Sequence, residues 1–232
     1  MASLKVLSWN IRQGGGTRVS PIVSAVLQHD AHAVVLSEFR NSQRGDAICS
    51  SLRDAGYQHQ QRSAAARNEN SVLVASRIPF RGRDVSDSVE VYPHNVVCAE
   101  FDAFDLFGVY LPHKKKHTWF DVLLEEVERD QPCIIAGDFN SGKNGVDQAG
   151  QSFWYEDKMI ALEQIGYVDA FREVHGDVRE FSWFSHQGNG YRYDHTFVHP
   201  ALAQLISDCW YSHDERESGL SDHSVMLLEL EF

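Results

Sequence analysis

The 232-residue sequence predicts an α/β protein in which mixed or antiparallel β-sheets pack in layers with helices outside. The first supporting observation is that strand-like and helix-like spacings of apolar residues alternate along the chain. The second is that several predicted strands follow one another with no helix between them, which a doubly wound parallel sheet does not allow. The third is a hydrophobic content of 43%, in a chain long enough to bury a large core.

Strands are predicted where apolar residues alternate with polar ones or form short continuous runs. The first segment, LKVLSWN, alternates, whereas HAVVLSE is rich in β-branched residues and is typical of a buried strand. The predicted strands comprise residues 4–10, 32–38, 71–75, 96–101, 105–110, 133–136, 193–198, 206–211 and 225–232.

Helices are predicted where apolar residues recur at helical spacing. Gly56 and Gly166 follow two of these segments, and glycine commonly terminates a helix. The predicted helices comprise residues 21–29, 47–55, 119–127 and 153–165. No repeat, low-complexity tract or linker rich in Pro, Gly or Ser divides the sequence, so we expect residues 1–232 to form a single domain.

The charge and the cysteines narrow the classes of function. A formal net charge of −12 argues against nucleic acid being held by overall charge, although it is compatible with a local basic patch. No two cysteines form a CxxC pair, which excludes zinc-binding and thioredoxin-like motifs of that kind and favours reduced thiols in the cytoplasm. We expect no signal peptide and no membrane span, because no apolar segment approaches the ~20 residues that a span needs.

Polar residues of a restricted set of types stand where predicted strands begin or end. They are Asn10, Glu38, Asp138, Asn140, Asp194, Asp222 and His223. Each alone has an ordinary structural explanation, such as a turn, a helix cap, a solvated strand end or, for Asp194, an ion pair with Arg192. Together they are the types that metal-dependent phosphoesterases use, and strand ends are where α/β folds hold such side chains.

These residue types suit the metal-assisted hydrolysis of a phosphodiester. Mg²⁺ or Mn²⁺ prefers oxygen ligands and keeps several waters, so one or two carboxylates suffice, and Glu38 is the best single candidate. Asp138 could orient and deprotonate the attacking water, and Asn140 could donate to a phosphoryl oxygen. A protonated His223, oriented by an acid, could donate to the oxyanion that develops.

A series of short motifs resembles, in the same order, the successive signatures of the endonuclease/exonuclease/phosphatase superfamily. The motifs are SWNIR (8–12), SEF (37–39), GVYLP (108–112), GDFNS (137–141), YRYDHTFV (191–198) and SDHS (221–224). Residues 166–203 further resemble the exonuclease III branch. The resemblance implies a four-layer, deoxyribonuclease-like α/β sandwich with two mixed β-sheets flanked by helices.

The resemblance also implies roles for individual residues. Metal ligation is implied for Glu38, Asn10 and Asp222, and catalysis for Asp138, Asn140, His223, Asp194 and Tyr110. In that scheme Asp138 activates water, while His223, hydrogen-bonded to Asp194, contacts the scissile phosphate. Trp183, together with Phe181, matches an aromatic segment that lines the pocket for an abasic sugar in DNA-repair members.

The remaining features bear on the substrate. Residues 140–152 and 184–191 are shorter than the matching segments of DNA-repair members, which puts the recognition of abasic sites in question. His195 stands where many relatives have an apolar residue. A basic run at 114–117 could contact the phosphate backbone. The residues expected to bind substrate are His113, Lys114, Lys115, Arg12, Arg40 and Trp183, with Lys143 and Arg192 as further members of a local basic patch.

The leading hypothesis is a Mg²⁺- or Mn²⁺-dependent nuclease that acts on DNA in the cytoplasm. A phosphoesterase for an inositol phosphate, a phospholipid head group or a nucleotide is the alternative that the short loops favour. A catalytically idle binding module is the third hypothesis, and the presence of every expected catalytic residue type counts against it. The sequence leaves exonuclease and endonuclease action equally open.

Overall fold

Two six-stranded β-sheets form the centre of the structure, a computed structural model that describes residues 3–85, 92–113, 117–127 and 131–232. The strands, β1 to β14 in chain order, are Ser3–Asn10, Ala33–Phe39, His59–Arg62, Ser71–Ser76, Arg81–Arg83, Val96–Glu100, Asp105–Tyr110, Cys133–Asp138, Val168–Asp169, Trp183–Phe184, Gly190–Tyr191, Asp194–Val198, Ile206–Ser212 and Val225–Glu231. The α-helices, α1 to α7, are Val19–Gln28, Gln43–Asp54, His117–Val127, Glu156–Gln164, Ala170–His175, Pro200–Ala203 and Asp214–Glu217.

Both large sheets are mixed, as the sequence predicts. The first has the order β13-β14-β1-β2-β4-β3, in which β1 and β2 are parallel. The second has the order β5-β6-β7-β8-β12-β9, in which β7 and β8 are parallel. The other neighbours in both sheets are antiparallel. Each parallel pair is joined by a helical crossover, through α1 in the first sheet and α3 in the second.

The packing cores show that the sheets and helices form four layers. In β2, Val35 faces a core between the two sheets, whereas the next residue, Leu36, packs with residues of α1 and α2. In β8, Ile134 faces the core between the sheets, and Ile135 packs with residues of α3 and α4. Burial on both faces explains why these strands are continuous apolar runs in the sequence. The predicted four-layer sandwich is confirmed.

Short polar strands are the main elements that the sequence analysis missed. The edge strands β3, with the sequence HQQR, and β5, with RGR, lack the alternation of apolar residues on which the prediction depends. They are strands because their backbone groups pair with β4 and β6, a long-range effect that a local pattern does not contain.

The ends of the predicted helices also differ from the structure. Helix α2 begins at Gln43, before the predicted start, because the Ser42 side chain accepts a hydrogen bond from the Gly45 N–H and caps it. The helix predicted over 153–165 begins at Glu156. Asn144 explains the later start, since its side chain is hydrogen-bonded to both the N–H and the carbonyl oxygen of Phe153.

The sequence predicts reduced cysteines and no membrane span, and the structure bears on both expectations. Cys49, Cys98, Cys133 and Cys209 are all buried and free of disulfide bonds. Burial raises the pKa of both Cys98 and Cys133 to about 12, so these thiols stay protonated. Within the described ranges, none of the helices combines the length and the apolar character that crossing a membrane requires.

Candidate active site

Strand ends of the second sheet place three of the predicted residues side by side. Asp138 ends β8 and is the register partner of both Tyr110, at the end of β7, and Asp194, at the start of β12. Residues paired in register project from the same face of a sheet, so these side chains converge. Asn10, at the end of β1 in the first sheet, donates from Nδ2 to Asp138 Oδ2 at 2.8 Å. The site therefore lies at the edge where the two sheets meet.

Asp138 is the most tightly held carboxylate of the site. It is buried, and besides the bond from Asn10 it accepts hydrogen bonds from the Asn140 backbone N–H to Oδ1 at 2.8 Å and from Asn140 Nδ2 to Oδ2 at 3.0 Å. Burial raises the pKa of Asp138 to about 7; the positive charge of His223 opposes the rise and the negative charge of Asp194 adds to it. At neutral pH such a carboxylate can both take up and release a proton.

His223 and Asp194 form a buried pair that faces Asp138. His223 Nδ1 lies 2.8 Å from Asp194 Oδ2, and Nε2 lies 4.0 Å from Asp138 Oδ2. Burial alone would lower the pKa of the imidazole, but the carboxylates of Asp194 and Asp138 outweigh it and raise the pKa to about 10. His223 is therefore an imidazolium at neutral pH, with Nε2 as a donor directed toward Asp138.

Strained backbone marks the entrance to the site. The backbone φ is 54° at Arg12, 52° at Gln13, 53° at Glu38 and 46° at Asn140. These values lie in the left-handed region, which residues other than glycine rarely adopt. The pairing of β2 with β4 shifts register between Ser37 and Phe39, so Glu38 occupies a β-bulge. Bulges and left-handed residues concentrate at functional sites, where they redirect side chains.

The Glu38 side chain lies among polar groups at the rim of the site. The Gln13 backbone N–H donates to Glu38 Oε2 at 2.7 Å. Burial, together with the negative charges of Glu38 and Asp138, raises the pKa of Tyr110, which keeps its hydroxyl a proton donor at neutral pH. Glu38 and Tyr110, predicted separately from their motifs, are thus neighbours in space.

Asn70 is a residue of the site that the sequence analysis missed. It donates from Nδ2 to the Tyr110 hydroxyl at 3.5 Å and accepts from Arg40 Nε at 2.8 Å. Arg40, predicted to bind substrate, is therefore connected to the site through Asn70. Its position in the sequence could have indicated a role, because Asn70 immediately precedes β4 and the other residues of the site also stand next to strand ends.

Trp183 and Asp222 occupy the side of the site next to His223. Trp183 Nε1 donates to Asp222 Oδ2 at 3.3 Å, and an isolated β-bridge pairs Trp183 with His223. Arg12 Nε lies 3.9 Å from Asp222 Oδ2, and both side chains are substantially exposed. The Trp183 ring packs against Tyr193 at a centroid distance of 5.4 Å. The predicted residues Trp183, Asp222 and Arg12 are thus brought together.

The basic patch of the sequence analysis is smaller than expected. Arg192 is fully buried, with Nε 2.8 Å from Asp147 Oδ1 and Nη2 2.6 Å from Asp169 Oδ2, so its assignment to a surface patch was wrong. The charge of Lys143 is paired with Glu163, with Nζ 3.0 Å from Glu163 Oε1. The predicted contacts of Lys114 and Lys115 lie outside the described residues.

His195 has a structural role in the same buried network. Its Nε2 lies 2.8 Å from the Ser141 carbonyl oxygen and 3.0 Å from that of Arg192, and its Nδ1 lies 3.6 Å from Asp169 Oδ2. A polar residue at this position of β12 therefore links the segment that follows Asp138 to the network around Arg192. This accounts for a histidine in a place where an apolar residue was expected.

Two groups of residues could hold a divalent cation. Asp138, Asp194 and His223 offer ligand atoms that lie within 4.8 Å of one another. In this group His223 Nδ1 and Asp194 Oδ2 lie 2.8 Å apart and are hydrogen-bonded to each other, which engages both atoms. The predicted ligands Glu38 and Asp222 are partly exposed carboxylates, and Asn10 adds an amide oxygen, which are the ligand types that Mg²⁺ and Mn²⁺ prefer.

Two mixed sheets bring Asn10, Asp138 and His223 together at one edge of the structure. The model of the Endonuclease/Exonuclease/phosphatase family matches residues 7–223. The chain belongs to that family.

The curated relatives include exodeoxyribonucleases of low sequence identity. The Streptococcus pneumoniae enzyme is 27% identical over 165 residues, which cover 59% of this chain and 58% of that enzyme. The aligned part thus spans little more than half of that relative's length. The Bacillus subtilis enzyme is 24% identical over 243 residues, covering 91% of this chain and 94% of that enzyme.

Solved structures confirm the fold. An AP endonuclease from Archaeoglobus fulgidus superimposes with a TM-score of 0.87 at 18% identity, covering 99% of this chain and 100% of that one. The 3′ phosphatase NExo from Neisseria, bound to product DNA hairpin, has a TM-score of 0.87 at 22% identity and the same coverage. At these identities the similarity establishes the arrangement of sheets and helices.

Proposed function

We propose that the chain is a divalent-metal-dependent nuclease that hydrolyses DNA phosphodiester bonds. The observation that carries the proposal is the buried arrangement in which the His223–Asp194 pair faces Asp138, itself held by Asn10 and Asn140. The exodeoxyribonuclease relatives support DNA as the substrate. The free cysteines favour a reducing compartment, and we propose the cytoplasm, with a role in DNA repair.

Asp138 is the proposed general base. Its three hydrogen bonds fix the carboxylate, and a pKa of about 7 lets it accept a proton near neutral pH. As the water oxygen forms its bond to phosphorus, the water proton passes to Asp138 and the bond from phosphorus to the leaving oxygen breaks. Asn140, partly exposed beside Asp138, is positioned to orient the phosphate or the water.

His223 is the proposed stabiliser of the pentacovalent oxyanion. Asp194 fixes the ring through Nδ1, which leaves the Nε2–H to donate to a phosphoryl oxygen of the substrate. Tyr110, whose hydroxyl stays protonated, is the second proposed donor on the opposite side. Asp194 acts through His223 and is a positioning residue.

Glu38, Asn10 and Asp222 are the proposed ligands of Mg²⁺ or Mn²⁺. A bound ion would offset the negative charge that develops on the phosphoryl and leaving oxygens. Arg12, Arg40, His113 and Trp183 are the described residues that we propose contact the rest of the substrate.

A phosphoesterase for a small substrate is the second candidate. The observation in its favour is the short hairpin β10–β11, in which only residues 185–189 separate the two strands. Such a segment offers little surface for a duplex. The same chemistry at Asp138 and His223 would then act on an inositol phosphate, a phospholipid head group or a nucleotide. An idle binding module is the third candidate, and the presence of every expected catalytic residue type counts against it.

The test is a gel assay with one end-labelled DNA offered as intact duplex, single strand and abasic duplex, each in Mg²⁺, Mn²⁺ and EDTA. We expect cleavage with either metal and none in EDTA, and the product ladder separates exonuclease action from incision. If no DNA form is cut while soluble phosphoesters are hydrolysed, the second candidate replaces the first. Absence of turnover with DNA, inositol phosphates and nucleotides alike would contradict both.

A further inference from the structure

We propose that Trp154 is a stacking platform for one unpaired nucleobase next to the scissile phosphate. The inference rests on the proposed nuclease function and deepens it by assigning a base-binding subsite. Among the described residues, Trp154 is the most exposed large apolar side chain, with 74% of its surface accessible to solvent. Tryptophan is enriched at binding interfaces, where its large ring contributes much contact area.

The platform adjoins a cavity whose lining includes Asn140, one of the proposed catalytic residues. The cavity encloses about 110 Å³ and is lined by Trp154, His113, Tyr191, Tyr193 and Asn140, among others. A single water needs only ~10–15 Å³ measured in this way, so the space suits a group larger than a few waters. Asn140 also donates to Asp138, which places any occupant beside the reacting phosphate.

The residues just before Trp154 are held in place, although the tryptophan itself is exposed. The Phe153 N–H donates to Asn144 Oδ1 at 2.8 Å, and the Gln151 N–H donates to the Tyr191 hydroxyl at 2.9 Å. The Phe153 ring packs edge-on against Tyr193 at a centroid distance of 5.9 Å. A platform held in place before binding loses little conformational entropy when a ligand stacks on it.

The lining of the cavity indicates the chemistry of its occupant. No Lys, Arg, Asp or Glu is among the described lining residues, so the cavity suits a neutral group better than a phosphate. Aromatic rings surround it, and the His113 ring lies 6.2 Å from the Trp154 ring. Stacking on such rings accepts any planar base, because every base presents a π-face.

The occupant must be unpaired. A base inside a duplex is already stacked on both faces, so it cannot place a face on Trp154 without leaving the helix. We therefore expect the subsite to favour single strands and frayed ends over intact duplex.

The test measures binding to a series of single-stranded hexanucleotides, in Mg²⁺ and in an Asp138→Asn background that suppresses turnover. Each hexamer has one base-lacking tetrahydrofuran residue at a different position, and a hexamer with all bases is the reference. The variants are Trp154→Ala and Trp154→Phe, with Phe232→Ala as a control at an exposed ring near the chain end. Fluorescence anisotropy of the labelled DNA gives the dissociation constant.

Trp154→Ala is expected to weaken binding of the reference hexamer by about tenfold, the loss of one base stack. Trp154→Phe should restore most of the affinity, and Phe232→Ala should change nothing. One base-lacking position should abolish the difference between Trp154→Ala and its parent. An equal loss at every position, no loss at all, or no binding of any hexamer would overturn the inference.

The outcome separates the subsite from the proposed function. Metal-dependent cleavage of DNA combined with unchanged binding in Trp154→Ala would overturn the subsite alone. A Trp154-dependent, base-dependent affinity in a protein that cuts no DNA would leave the subsite standing and overturn the nuclease proposal.

Discussion

Glu38 shows what a sequence can predict about a site at the scale of single residues. Its motif and its place at the end of β2 identified Glu38 as a candidate site residue. The amino-acid sequence did not indicate the φ of 53° or the bulge that turns its side chain. Asn70 escaped prediction because its contact with Tyr110 depends on how the sheet that contains β4 packs against the sheet that contains β7. Arg192 was misplaced because sequence does not reveal that Asp147 and Asp169 enclose it.

Replacing Glu38 with glutamine tests the proposed metal ligand. Glu38→Gln removes a charged oxygen ligand while keeping the size of the side chain, so the Mg²⁺ concentration for half-maximal activity should rise by about tenfold or more. The measurement is a titration of cleavage rate against Mg²⁺. Glu217→Gln, an exposed change on α7, is the matched control and should leave the titration unchanged. An unaltered titration in Glu38→Gln would remove Glu38 from the ligand set.

At the scale of elements, a buried charge network connects the segments around the site. Arg192, just before β12, binds Asp147 in the segment after β8 and Asp169 at the end of β9, while Arg172 of α5 also reaches Asp147. Strands and helices here were predictable from apolar spacing, but this network was not, because its members are separated in sequence. It holds in place the segment that carries Asn140.

Asp169→Asn tests the network through the pH dependence of stability. Burial alone would raise the pKa of Asp169, but Arg192 and His195 outweigh it and hold the pKa well below its ordinary value. A carboxylate whose pKa is lowered by folding contributes stability that is fully present above its unfolded pKa of ~3.9 and is lost as the pH falls below it. Wild type should therefore lose stability more steeply than Asp169→Asn between about pH 4 and pH 2.

At neutral pH the same variant should be less stable by about 3 kcal/mol, because the buried Arg192 loses one of its two carboxylates. Urea unfolding at a series of pH values measures both effects. Asp177→Asn, an exposed change just after α5, is the control and should follow wild type. Parallel pH profiles for wild type and Asp169→Asn would show that the ionised carboxylate contributes nothing to stability.

At the scale of the whole molecule, the site exists because two sheets pack face to face. The layered class was predictable from alternating patterns, but the meeting of Asn10 with Asp138, from different sheets, was not. Gly108 of β7 is one place where this packing is tight. A Cβ there would lie 2.9 Å from Val74 Cγ2 and 3.0 Å from Val35 Cγ1, both across the core between the sheets.

Gly108→Ala should therefore force the sheets to adjust, and overpacking of this kind costs about 1–3 kcal/mol. The free energy of unfolding in urea measures the loss. Gly82→Ala on the edge strand β5 is the matched control, because the obstacle there is the flexible side chain of Gln61, and it should change stability by less than about 0.5 kcal/mol. Equal stability of the two variants would contradict close packing at Gly108.

The measurement that tests the central claim most directly is the Mg²⁺-dependent DNA cleavage rate of Asp138→Asn, with thermal unfolding measured on the same sample. The account predicts a loss of at least about 10²-fold in rate, because the general base is gone, with little change in the unfolding temperature. Asp102→Asn, an exposed change away from the site, should keep the wild-type rate. Near-normal cleavage by a folded Asp138→Asn protein would contradict the role of Asp138 and the mechanism built on it.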